Sequence, residues 1–96
     1  MPEFLLCEDP IYDELHDDRL FIFHSYTPLF LVEVLHSTDM SLTKGIDYFY
    51  NDEQCIFIVI HLFEKINGKN ISPTLKRMAA WYYNYLSWMD IQEKIN

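Results

Sequence analysis

The longest apolar block in the chain, Cys55 to Phe63, has a single polar member, His61. Its β-branched and aromatic residues favour an extended strand, and apolar side chains at both parities predict a central strand covered on both faces. A helix is the rival reading. Asn51 would cap it, Asp52 and Glu53 would fill its first turn ahead of Gln54, and Asn67-Gly68 would stop it.

Before this block, Leu20 to Phe23 and Leu29 to Leu35 read as strands joined by the turn Ser25-Tyr26-Thr27-Pro28, which makes an antiparallel hairpin. Thr27-Pro28 could instead cap a helix reaching His36. Ser37 to Gly45 is mostly polar and reads as a surface loop. Ile46 to Tyr50 alternates like a strand, and Asn51 to Gln54 would turn it back into the core block as a second hairpin. Phe4 to Leu6 is short enough to be an edge strand or a simple pin for the terminus. Asp9-Pro10 opens a short acidic helix or a pair of turns over Ile11 to Asp18.

The C-terminal pattern is helical. Ser72 as cap and Pro73 as first helical residue open a helix running to about Lys94, with no Gly or Pro after Pro73. Leu75, Met78, Ala79, Tyr82, Tyr85, Leu86 and Met89 share one arc, which is the predicted core face. Trp81 and Trp88 lie on the shoulder of that arc near Arg77. The predicted fold is therefore α+β, one domain over residues 1–96: a small antiparallel sheet of about four strands in two hairpins, with a long C-terminal helix on one face. The acidic N-terminal segment would close an edge or the second face. If the capping signals win throughout, the alternative is an all-α bundle centred on residues 52–66.

Composition narrows the class. Half of the 96 residues are hydrophobic and sixteen are aromatic against two glycines, so a core of large rings is expected. Cys7 and Cys55 match neither zinc nor redox spacing, which argues against a disulfide framework and for a reducing, cytoplasmic setting. Met1-Pro2-Glu3 has no basic leader character, and no apolar run reaches the ~20 residues of a membrane span. No membrane partner is expected.

Charge is distributed unevenly. The net charge is −8, but residues 1–53 hold twelve acids against Arg19 and Lys44, a balance of −10, whereas residues 54–96 balance at +2. Glu8, Asp9, Asp13, Glu14, Asp17 and Asp18 place six carboxylates within eleven residues. If the segment is helical, Asp13 with Asp17 and Glu14 with Asp18 are like-charge pairs that destabilise by a few tenths of a kcal/mol each, as roughly expected at i,i+4 spacing. First-turn acids and a solubilising face are the ordinary explanation, and a docking surface for a basic protein is the functional one. The field argues against a nucleic-acid ligand. The cluster also lacks the alternating ligands and central Gly of an EF-hand loop.

No cofactor, metal or catalytic centre is expected. His16, His24, His36 and His61 are scattered singly, and His61 reads as a satisfied buried histidine in the core strand. Ser25, Ser37, Ser41, Ser72 and Ser87 have no nucleophile-elbow setting. The candidate partner-binding residues are Glu8, Asp9, Asp13, Glu14, Asp17, Asp18, Arg77, Trp81 and Trp88, because clustered carboxylates attract a basic surface and Trp and Arg anchor interfaces. The expected function is non-enzymatic inhibition of a basic partner, a nuclease or nucleic-acid-binding factor, in the manner of immunity or anti-defence inhibitors by analogy of size and charge. The alternative is a structural homo-oligomer, such as a homodimer joined through the aromatic helix.

Overall fold

The computed structural model describes residues 2–8, 20–64 and 71–95, apart from the side chains of Glu8 and residues 91–95. The expected acidic helix over Ile11 to Asp18 and the loop at Asn67-Gly68 lie outside the described residues. Five strands and one helix follow in order: β1 Phe4–Glu8, β2 Leu20–His24, β3 Phe30–Leu35, β4 Phe49–Asn51, β5 Ile56–Leu62 and α1 Ile71–Ile95. The strands form one antiparallel sheet of order β1-β2-β3-β5-β4. This is the predicted α+β architecture with one more strand, since Phe4 to Leu6 does become an edge strand.

Both predicted hairpins form. In the first, the turn between β2 and β3 contains a cis Thr27–Pro28 peptide. In the second, β4 is shorter than the alternation of Ile46 to Tyr50 suggests, and Asp52 makes the turn. Its Oδ1 accepts the amides of Gln54 at 2.8 Å and Cys55 at 2.9 Å, while its own N–H donates to the Cys55 carbonyl. An acid whose side chain collects amides two and three residues ahead is also what begins a helix, which explains why the sequence supports both readings of this stretch. Ser37 to Gly45 is the expected surface connection, with a short 3-10 turn at Met40–Thr43 started by Asp39. Gly45 has φ of 82°, in the left-handed region that suits glycine.

The core lies between α1 and one face of the sheet. Phe4, Ile22, Phe30, Val32, Val34 and Phe57 from the strands meet Ile71, Leu75, Met78, Ala79 and Tyr82 from the helix. These alternate along each strand as one face must. The other face is apolar as well: Ile56 and Ile58 are buried there, and Leu5, Phe23, Leu31 and Leu35 are partly covered. So β5 is interior to the sheet, although β3 is its middle strand, and β5 is enclosed on both faces only over its first half. Ile60, His61 and Phe63 are exposed, contrary to the expectation for Cys55 to Phe63. The cause is a register shift: Val32 faces Val59 but Leu31 faces His61, so β5 carries an extra residue. That bulge reverses the parity of the strand. Leu62 continues the core side instead of His61, which turns outward beside the Phe63 ring at 4.4 Å.

The helix starts at Ile71, one residue before the expected cap Ser72, which puts Pro73 within the first turn, where its missing N–H is not needed. Its 25 residues reach about 37 Å at 1.5 Å per residue, whereas the strands, up to seven residues long, span at most about 23 Å. The helix therefore outruns the sheet. Leu75, Met78, Ala79 and Tyr82 are buried, whereas Leu86 and Met89 on the same arc are each 39% exposed.

Candidate functional site

The two flanks of α1 reach opposite ends of the sheet. Arg77 and Trp81 reach the end where β1 begins, at Glu3 and Phe4. Tyr82 and Tyr83 reach the opposite end: the Tyr82 hydroxyl lies 2.6 Å from His36 Nε2, just past β3, and the Tyr83 hydroxyl donates to Asp52 Oδ2 at 2.6 Å, just past β4. Tyr82 also packs edge-on against Phe57, whose register row runs through Val34 and Leu20 to Glu8. Glu8 and Leu20, between which the acidic connection of residues 9–19 leaves and returns, lie at that same end of the sheet, opposite Glu3 and Phe4.

The flank of α1 that meets β1 is aromatic by a continuous path. Phe4 and Trp81 ring centroids are 5.6 Å apart, Trp81 stacks on Tyr85 at 6.0 Å, and Tyr85 stacks on Trp88 at 6.4 Å. The spacing 81, 85, 88 places these rings along one flank of the helix. Trp81 is half-buried against Phe4 of β1. Trp88 is 56% exposed. Tyr85, Leu86, Trp88 and Met89 then form an apolar arc beyond the sheet, where the stacked Trp88 ring remains open to a partner.

Of the other candidates, Arg77 is tied to Glu3 through two contacts, Nη1 to Oε1 and Nη2 to Oε2, each at 3.1 Å, while its guanidinium stays largely exposed. Glu8 ends β1. Asp9, Asp13, Glu14, Asp17 and Asp18 lie outside the described residues.

Three polar arrangements were not anticipated from the sequence. The buried histidine is His24, 1% exposed, whose ring nitrogens lie 2.6 Å from the Pro28 carbonyl and 2.7 Å from Glu3 Oε2. Its signal was present in the alternation of Leu20 to His24, which puts His24 on the same side as Ile22. The second is Tyr83 with Asp52. Partial burial works against ionising Asp52, but the Tyr83 hydroxyl and the Cys55 and Gln54 amides outweigh it and hold the carboxyl below its ordinary value. Burial, with the bond to Asp52 adding to it, pushes the Tyr83 phenol well above its ordinary range, and burial also raises Tyr82 and the Cys55 thiol. These groups stay protonated at neutral pH, and Tyr83 acts as a fixed donor to Asp52. The third is an open depression of about 390 Å³ beside the second half of β5, which brings His61 and Asp47 together with Tyr48.

Cys7 and Cys55 are free thiols. Among the described residues no group of three or more His, Cys, Asp or Glu is arranged to hold a metal ion, and no helix is long and apolar enough to cross a membrane. No protein-family model, curated protein or solved structure matches this chain.

Proposed function

We propose that the protein is a non-enzymatic binding protein that docks and inhibits a basic protein partner, a nuclease or nucleic-acid-binding factor, and works in the cytoplasm. The observation that carries this reading is the exposed Trp88, stacked through Tyr85 and Trp81 on Phe4 of β1, the strand whose other end, Glu8, leads into the acidic connection. Carboxylates of Glu8, Asp9, Asp13, Glu14, Asp17 and Asp18 stand in for phosphates and steer association, while Trp88, stacked through Tyr85 and Trp81, slows dissociation. Arg77 holds the inner end of the aromatic flank through Glu3.

The test is affinity capture from host lysate at low and high salt, with Asp13, Glu14, Asp17 and Asp18 all changed to Lys as control. A basic protein retained at low salt, weakened at high salt and lost with the variant is the expected result. Retention unchanged by the charge reversal overturns the reading.

A homo-oligomer is the second reading, favoured by the apolar arc of Tyr85, Leu86, Trp88 and Met89 beyond the strands. Sedimentation of the free protein separates the two. A concentration-dependent dimer dispersed by Trp88→Glu supports self-assembly, and a monomer at all concentrations removes it.

A further inference from the structure

Glu3, His24 and Arg77 form a cluster at the end of the sheet where β1 begins. His24 Nδ1 faces the Pro28 carbonyl at 2.6 Å and Nε2 faces the Glu3 carboxyl at 2.7 Å. A carbonyl can only accept, so Nδ1 carries a proton. Between Nε2 and Glu3 one more proton is required, on the ring or on the acid. Arg77 decides which: its Nη1 donates to Glu3 Oε1 at 3.1 Å and its Nη2 lies 3.1 Å from Oε2, an ion pair that favours an ionised carboxylate. The second proton therefore belongs to His24.

The surroundings suit a cation held in place. Phe4 and Phe30 ring centroids lie 5.5 and 4.9 Å from the His24 ring, and Tyr26 lies at 6.4 Å. The titratable or charged groups facing the ring are Glu3 from β1, Arg77 from α1 through that carboxylate, and Tyr26 from the β2–β3 turn. Glu64, after β5, is committed to the Leu29 amide at 3.1 Å. The same corner pins the start of β1: the Ser25 amide donates to the Glu3 carbonyl at 2.8 Å, and its hydroxyl donates to the Pro2 and Glu3 carbonyls.

We propose that His24 is a buried imidazolium that latches the edge strand β1 to β2 and α1, so that docking of β1 is sensitive to pH. The sign follows from which form the fold binds. The latch is closed while the imidazole is charged and opens when the ring is neutral, so rising pH works against it. A neutral ring has one N–H for two acceptors, so either Pro28 or Glu3 is left facing a lone pair. β1 is the strand that yields, because it is an edge strand with one neighbour in the sheet. Its far end is Glu8, so the latch also acts on one anchor of the acidic connection, although it does not rest on the docking reading.

The experiment combines nitrogen NMR of the histidine ring with amide exchange, from about pH 5.5 to about pH 8.5, the interval in which imidazoles titrate. At the acid end both His24 ring nitrogens should read as protonated. Protection of the β1 amides, corrected for intrinsic exchange, should fall about tenfold or more as the pH rises, as loss of a charge-assisted hydrogen bond implies, while the β3–β5 amides hold. Glu3→Gln supplies a side chain that donates to a neutral ring, so it should flatten the profile and leave His24 singly protonated. A singly protonated wild-type ring across the whole range, or an equal fall in the Glu3→Gln protein, overturns the proposal. If Glu3→Gln does not fold, the protonation of the wild-type ring decides.

Discussion

From Ile71 to Tyr83, α1 lays Leu75, Met78, Ala79 and Tyr82 against a sheet that buries all four, whereas from Tyr85 onward the same stripe runs on through Leu86 and Met89 beyond the sheet's cover. The two halves have the same periodicity and nearly the same residue types. What separates them is support. An amphipathic pattern fixes which side of a helix is apolar, but how much of that side is covered depends on the length of whatever lies beneath it.

The contrast is sharpest for leucine. Leu75→Ala in the buried half should destabilise by about 2–5 kcal/mol, because it removes a fully buried side chain and leaves a cavity, while Leu86→Ala should cost less than about 1 kcal/mol. Urea unfolding of the two variants checks this, and equal losses would mean that α1 is supported along its whole length. Tyr83 marks the boundary. Tyr83→Phe removes the donor to Asp52 and should cost about 1–2 kcal/mol.

The same contact has a pH signature. The folded Asp52 carboxyl lies below its ordinary 3.8, so its contribution is present above that value and lost as the pH falls through the folded value. Acid titration of Asp52→Asn should show a shallower loss of stability below about pH 4 than the wild type. The smallest effect on folding is expected at the open end. Trp88→Ala should change stability by no more than about 0.5 kcal/mol, yet weaken partner binding by about 2 kcal/mol if Trp88 is the anchor, measured by calorimetry on the captured complex.

The sequence made α1, both hairpins and the strand at Ile56–Leu62 legible, because each depends on local periodicity and turn chemistry. Asp52 is a case in which local chemistry supports two outcomes, and only the pairing of β4 with β5 chooses the turn. The exchange of roles between the histidines was out of reach for a different reason. Period two assigns His61 to the core, and the bulge that reverses it is set by how β5 registers against β3, which no single strand encodes. His24 needed two partners twenty-one and fifty-three residues away, Glu3 and Arg77, to become more than a polar residue at a strand end. For the partner-binding set, charge and aromatic content were visible from the outset. That the ring stack ending at Trp88 starts on Phe4 of β1 required the tertiary packing.

The strand order has a kinetic consequence. β1 with β2, β2 with β3 and β4 with β5 are neighbours in sequence and can zip locally, but β3 pairs with β5 across everything from His36 to Cys55. Closing that long loop precedes the completed sheet, and its entropy is lost before the contacts that reward it are made. The β3–β5 seam is thus the expected rate-limiting assembly. Val32→Ala, in its middle, should slow refolding in stopped-flow mixing, whereas Trp88→Ala on the projecting helix should leave the refolding rate untouched.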